Sequence, residues 1–254
     1  MRNGWLERQS ELQARSRRFY AALASGPLDV RAAQRLRYRV FGEEMGVKLH
    51  GSNLGLDLDP LDDYCDHLLV WDDETEVVVG TYRVLTPSLA RAAGGFYSED
   101  EFDLARLEPL RARTAEVGRA CVHPDFRRGA VIKELWSGLL EYLIRGEFEY
   151  AMGCASIPTT DGGHVAATLC RRLLQEHLGP EEQRVFPRRA FVMEGWGEVP
   201  NAVVPPLIKG YLRLGAHVCG NPAWDAEFRT ADLLLLLSIT RMSGRYVERL
   251  CRSV

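Results

Sequence analysis

The chain has 254 residues, 46% hydrophobic and 26% charged, with 32 Lys and Arg against 35 Asp and Glu. A chain of this size buries a full core without metals or disulfides, and its net charge of -3 argues against a general nucleic-acid binder, which carries a basic excess. The longest apolar run, Leu233 to Leu237 and on through Ser238 to Ile239, is far shorter than the roughly 20 residues of a membrane-spanning helix.

Residues 1–27 read as a polar lead-in, helical in flavour, with a short strand at Phe19–Ala24. Arg2, Glu7, Arg8, Glu11 and Arg15 leave no apolar core for a signal peptide there. A single domain is expected over 28–254. A helix is predicted from Asp29, which can cap it. Val30, Ala33, Leu36, Val40 and Phe41 then recur at helical spacing. From Gly46 to Asp66 the pattern breaks into a long acidic loop holding Asp57, Asp59, Asp62, Asp63 and Asp66. Loops of that length are commonly functional. His67–Trp71 and Glu76–Leu85 are strands, made a hairpin by the Asp72–Thr75 turn. Helical pieces and loop follow over 88–112, with a second acidic cluster at Glu99–Asp103.

Thr114–Val122 is the third clear strand, closed by Pro124. Arg127-Arg128-Gly129-Ala130 then leads straight into a helix with a wide apolar stripe, Val131, Leu135, Trp136, Leu139, Leu140 and Leu143 among it. Further along come a strand at Tyr150–Ile157, a helix marked by Val165, Leu169 and Leu173, and a helix at Pro205–Leu214. Strands at Ala216–Cys219 and Ala231–Ile239 and a closing helix from Ser243 complete the chain. The fold class is α+β, a hairpin-rich sheet with helices on its faces.

Three segments carry candidate chemistry. A helix start exposes unpaired N–H groups and the positive end of the helix dipole, so the turn at Arg127–Gly129 suits a phosphate. It equally suits a plain strand-to-helix turn with solvated arginines. It lacks the Walker and dinucleotide patterns. Glu116 lies in a mid-sheet strand, where an unpaired carboxylate is rarely buried. It is either a general base or half of a structural ion pair with Arg83 or Arg37. The acidic segment Asp62–His67 could hold a cationic substrate group. Cys65/His67 and Cys121/His123 are spaced too closely for a usual zinc site, so no metal is expected. The six scattered cysteines read as reduced thiols of a cytoplasmic protein.

Together these segments resemble the acyltransferases of ornithine-lipid biosynthesis, a hemolysin-like branch of the GCN5-related N-acyltransferase fold. The resemblance is carried by LRYRVFGEEMG (36–46), DDYCDHLLV (62–70), VVGTYRVL (78–85), EVGRACVHPDFRRGAVIKELWSGLLEY (116–142), MGCASIP (152–158) and the stretch 205–237. The acyl-homoserine-lactone synthases are similar in the same blocks. The resemblance implies a central mixed, mostly antiparallel sheet with helices on both faces and a C-terminal extension. It implies direct aminolysis of a thioester with Glu116 as base, and no permanently bound cofactor. The acceptor, ornithine or a similar amino acid, would meet Arg83 or Arg119 with its carboxylate and Asp63 or Asp66 with its second amine. The donor would be the acyl-phosphopantetheine of acyl carrier protein, or acyl-CoA, held at Val122, Arg127, Arg128, Gly129, Ala130 and Val131. A single glycine in that turn favours the carrier protein. Partners are then the carrier and, optionally, the inner face of the membrane; nucleic acid is not among them. The alternatives are an N-acyltransferase for another amine, or a non-catalytic acyl-carrier binding module.

Overall fold

The structure, a computed structural model, describes residues 18–127 and 129–242. The helical lead-in before residue 18, Arg128 and the helix expected from Ser243 lie outside the described residues.

In chain order the elements are β1 (Phe19–Leu23), α1 (Pro27–Arg37), β2 (Asp66–Asp72), β3 (Val77–Leu85), α2 (Pro87–Ala93), β4 (Phe102–Asp103) and β5 (Thr114–Val122). They continue with α3 (Ala130–Arg145), β6 (Tyr150–Pro158), α4 (His164–His177), β7 (Phe186–Pro187), α5 (Pro206–Arg213), β8 (His217–Val218), β9 (Ala223–Asp225) and β10 (Thr230–Ser238). The described residues divide into two compact units, one of residues 18–84, 119–127 and 129–142, the other of 85–118 and 143–242.

In the first unit β1, β2 and β3 form an antiparallel ladder, with a bulge at Val70/Trp71 in the β2–β3 hairpin. The end of β5 joins this unit, and His123 donates its N–H to Val79 O at 2.9 Å. Helix α3 lies against β3 at Gly80, where an added Cβ would come within 2.9 Å of Val131 and 3.0 Å of Leu135. Only glycine allows that approach. Ala33, Leu36 and Val40 pack with Leu69, Val78 and Cys121, so the predicted helical stripe is the core face of α1. The helix starts earlier than expected. Pro27 occupies its first turn and Gly26 its N-cap; Asp29 sits inside that turn, accepting hydrogen bonds from Ser25 N and Oγ. After Arg37 the helix widens into a π-type stretch, Tyr38–Glu44.

In the second unit β5 pairs parallel with β6, β6 antiparallel with β10, and β10 antiparallel with β8 and β9. The apolar run at 233–237 is therefore a buried strand. It packs with Ile157 of β6 and with Ala166, Leu169, Cys170 and Leu173 of α4. The β5–β6 ladder spans only Thr114↔Tyr150, Ala115↔Ala151 and Glu116↔Met152. β9 and the small β4–β7 pair were not expected from the sequence. They are two or three residues long, too short for a periodic signal.

β5 itself passes from one unit to the other between Gly118 and Arg119. Arg119 has φ +49°, a left-handed conformation that costs a non-glycine residue about 1–3 kcal/mol. Such strain persists where the surroundings over-determine it, and here it marks the strand that carries both Glu116 and Arg119.

Candidate active site

The acidic loop folds back on the first unit as a charge-balanced cluster. Arg37 is fully buried. It donates to Asp57 Oδ2 at 2.8 Å, to the Asp57 carbonyl at 2.7 Å, and to both oxygens of Asp62 at 2.9 and 2.6 Å. Arg83 reaches Asp59 at 2.7 Å and Asp62 at 3.2 Å, and Arg119 reaches Asp59 at 2.9 Å. Gln34 and His67 add bonds to Asp62, through its carboxylate and its backbone carbonyl. Asp59 also caps its own 3-10 turn by accepting from Leu61 N at 2.9 Å. Burial alone would raise the Asp59 carboxyl, but the Arg83 and Arg119 guanidinium charges outweigh it and hold the group well below the usual carboxylate range. Burial likewise opposes charge on Arg83, and Asp59 more than restores it. Fixed charges in matched number, hydrogen-bonded on most faces, avoid the penalty of an unpaired buried ion.

Of the two aspartates expected at the acceptor amine, Asp63 is exposed and Asp66 accepts a 2.5 Å hydrogen bond from the Tyr142 hydroxyl. Burial, then that bond, pushes the Tyr142 phenol upward. Arg83 and Arg119, expected at the acceptor carboxylate, are brought together by Asp59.

At the proposed donor turn, Gly129 adopts φ +97° and its carbonyl accepts from Lys133 N at 3.0 Å, opening α3. A residue with a side chain would be strained there. Arg127 donates bidentately to Glu44 at 2.7 and 2.6 Å and to the Val122 carbonyl at 3.2 Å. The pair is half exposed, so it is a labile tether rather than a buried lock.

In the second unit Glu116 is buried. Its carboxylate accepts from Tyr97 N at 2.6 Å and Ser98 N at 2.9 Å, the first turn of the Tyr97–Glu99 segment. Arg37 and Arg83, the suggested ion-pair partners, hold aspartates of the loop instead. Next to this segment Glu99 is clamped by Arg111 at 2.7 and 2.9 Å.

Sequence reading noted the acidic run Glu99–Asp103 but did not join its Glu101 to Cys154 and Asp232. Glu101, Cys154 and Asp232 bring one ligand-type atom each within 4.8 Å of one another. Asp232 is buried and accepts from Thr230 Oγ1 at 2.6 Å and Ser156 Oγ at 3.0 Å. Glu101 and Cys154 are partly exposed. The usable signal was a lone aspartate opening an otherwise apolar strand, Ala231-Asp232-Leu233. Four of the thiols are held from acting as nucleophiles: burial raises Cys154 well above its ordinary value and pushes Cys121, Cys170 and Cys219 up to about 12. A thiol, unlike a thiolate, is a poor nucleophile.

Residues 36–137 match the model of the acetyltransferase (GNAT) domain. An L-ornithine N(alpha)-acyltransferase of Brucella abortus is 37% identical, over 89% of this chain and 86% of that protein. The enzyme of the same name from Rhizobium meliloti is 34% identical over 94% and 86%. That of Rhodobacter capsulatus is 37% identical over 91% and 94%. Among solved structures, FeeM, an N-acyl amino acid synthase from uncultured soil microbes, superposes with a TM-score of 0.54 at 15% identity, covering 93% of this chain and 98% of that one. At that identity the likeness is one of fold.

Proposed function

The chain belongs to the L-ornithine N(alpha)-acyltransferase family, and from that premise we propose that it transfers a fatty acyl group from a thioester to the α-amine of ornithine. The observation that carries this is identity of 37% spread over 89% of the chain and so through both units. The product is an amide, a lyso-lipid, and the leaving group a free thiol.

A protonated α-amine cannot attack a carbonyl, so its proton must first leave. Glu116 is the proposed acceptor of that proton, directly or through one water. Two backbone N–H groups fix its carboxylate. The free amine adds to the thioester carbonyl, whose oxygen takes on negative charge. An N–H of β5 is the proposed oxyanion donor. It lies near Cys121–His123, where the His123 amide is engaged with Val79. Collapse of the tetrahedral intermediate expels the thiolate; the nitrogen sheds its second proton to become the amide, and the thiolate takes up a proton to leave as the thiol.

Arg83 and Arg119 are the proposed partners of the acceptor carboxylate, sharing their charge with Asp59. Asp63 and Asp66 are the sequence-based candidates for its second amine. The donor is an acyl thioester. Its finer identity, a 3-hydroxyacyl chain on acyl carrier protein, is proposed from the donor turn: Val122, Gly129, Ala130 and Val131 would meet the single phosphate, and Arg127 and Arg128 the acidic carrier. We place the reaction in the cytoplasm, at the inner face of the membrane that receives the product. No helix among the described residues is long and apolar enough to cross a membrane.

The test is mass spectrometry of products from purified protein given 3-hydroxyacyl carrier protein or acyl-CoA with ornithine, lysine, glycine or S-adenosylmethionine. The expected product is N(alpha)-acylornithine. A homoserine lactone, a different acyl amino acid as main product, or no turnover with either donor would reject the reading.

A further inference from the structure

The group formed by Glu101, Cys154 and Asp232 has a chemical deficit. Both carboxylate oxygens of Glu101 are buried and neither has a hydrogen bond of acceptable geometry. A buried carboxylate left in that state is costly, and native proteins seldom keep one without a reason. Its surroundings make matters worse. Burial first, then the charges of Asp232, Asp225 and Glu116, push its carboxyl up to about 8, with only the Tyr97 hydroxyl acting against them. Glu101 takes part in no ion pair among the described residues, whereas Glu99, two residues earlier, is clamped by Arg111. The missing component is a cation with several hydrogen-bond donors.

We propose that Glu101 and Asp232, beside the Cys154 sulfur, are the seat of the side-chain ammonium of the acceptor amino acid, and so set the specificity for a diamino acid. This rests on the reading that the acceptor is ornithine. Three observations favour it. The trio sits on the second unit with Glu116: Glu116 of β5 registers with Met152 of β6, two residues before Cys154 and so on the same face of that strand. One acceptor could therefore reach Glu116 with its α-amine and the acid pair with its other amine. Asp232 is buried and both Glu101 carboxylate oxygens are withdrawn from solvent beside it, so a cation seated there would be shielded from water. Asp232 is held in place by Thr230 and Ser156, as a recognition group should be. An ammonium needs acceptors only. Burial favours the protonated form of the Cys154 thiol, which asks nothing of an ammonium. Before the substrate arrives, a proton on Glu101 serves in place of the cation.

The test compares ornithine with norvaline, which has the same carbon chain without the second amine. For Glu101→Gln and Asp232→Asn, the ratio of kcat/KM for ornithine to that for norvaline should fall about 10- to 100-fold, the scale of a lost charge-assisted hydrogen bond. Glu101→Lys, which brings its own ammonium to Asp232, should turn the preference toward norvaline and keeps the test open if a neutral variant fails to fold. Titration calorimetry without donor gives a second readout: ornithine, not norvaline, should bind the unmodified protein, and Glu101→Gln should abolish the difference. An unchanged ratio in all three variants overturns the proposal. So does a ratio that moves with Asp63→Asn instead, or a stoichiometric metal found by mass spectrometry of the purified protein. If the unmodified protein binds ornithine through Glu101 yet acylates nothing, the ammonium seat stands and the acyltransfer reading fails.

Discussion

The first unit and the second both bury carboxylates, but they compensate them differently. In the first, Asp57, Asp59 and Asp62 meet Arg37, Arg83 and Arg119, and the proton affinities of Asp59 and Asp62 are held down. In the second, Glu101 and Asp232 lie together with Cys154, and Glu101 is driven toward its protonated form. The same side-chain chemistry thus does two jobs. A closed cluster holds a long loop in place, because every charge already has its partner. An open one carries an electrostatic deficit that a ligand can fill. Buried titratable groups with displaced proton affinities are candidates for function, but structural networks displace them too; whether the charges already balance tells the two apart.

The largest expected effects lie at the two poles of this contrast. Glu116→Gln should lower kcat about 10²–10⁴-fold, the usual contribution of general-base catalysis, with the donor KM nearly unchanged. Raising the pH should recover part of the rate, since more amine is then free. Losing one of the two carboxylate oxygens that accept from the Tyr97 and Ser98 N–H groups will also cost some stability, so a thermal melt must accompany the pH–rate profile. A variant whose folded fraction turns over at the normal rate, with an unchanged profile, would move Glu116 to the structural side of the comparison. On that side, Arg37→Met should destabilise by about 3–5 kcal/mol, because it strands Asp57 and Asp62 in the interior. A change below about 1 kcal/mol in urea unfolding would mean that the cluster is not holding the loop.

The two regions also predict opposite pH responses. Asp59 has a depressed folded value, so its contribution is present above the ordinary carboxylate range near pH 4 and is lost as the pH falls below it. Glu101 has a raised value, about 8. Between roughly pH 4 and 8 the folded state holds a proton that the unfolded state has lost, so this group makes stability fall as pH rises through that window. Glu101→Gln should flatten the alkaline limb of Tm against pH and leave the acid limb in place; Asp59→Asn should act on the acid limb. Identical curves for unmodified protein and Glu101→Gln between pH 6 and 9 would show that Glu101 is ionised throughout.

Much of the first region was legible from sequence, for physical reasons. The run of loop aspartates and the arginines at 37, 83 and 119 are local patterns, and strands β2, β3 and β5 follow from β-branched runs bounded by turns. The apolar periodicity of α1 and α3 gave their buried faces. What could not be read was pairing. Nothing in the spacing says that Arg37 binds Asp57 and Asp62, or that Glu116 rests on the amides of Tyr97 and Ser98. The second region was less legible still. Glu101, Cys154 and Asp232 come from three separate segments and meet only when β6 and β10 lie side by side. The start of α1 was misplaced because Asp29 looked like a cap, when the proline two residues before it already began the helix. The donor turn was readable as a turn, but not that Glu44 would occupy Arg127.

That last pairing gives the smallest effect and the finest division between a structural and a functional charge. Arg127 and Glu44 form a bidentate pair with side chains 43% and 42% exposed. Exposed pairs contribute about 0–1 kcal/mol, so neither Arg127→Glu nor Glu44→Gln should move Tm by more than a few degrees. If the pair serves only the fold, that is the whole effect. If the turn receives an acidic carrier protein, the two substitutions must separate. Glu44→Gln releases Arg127 and removes a negative charge, so the KM for acyl carrier protein should fall two- to fivefold at low ionic strength. Arg127→Glu should raise it by at least as much and weaken its dependence on salt, because steering by charge is screened over about 10 Å at 0.1 M. With acyl-CoA as donor both variants should change little by comparison. Equal kcat/KM for acyl-CoA and acyl carrier protein in the unmodified protein, or parallel shifts for the two donors in both variants, would return Arg127 to the balanced side, as a tether between the turn and the π-type stretch after α1.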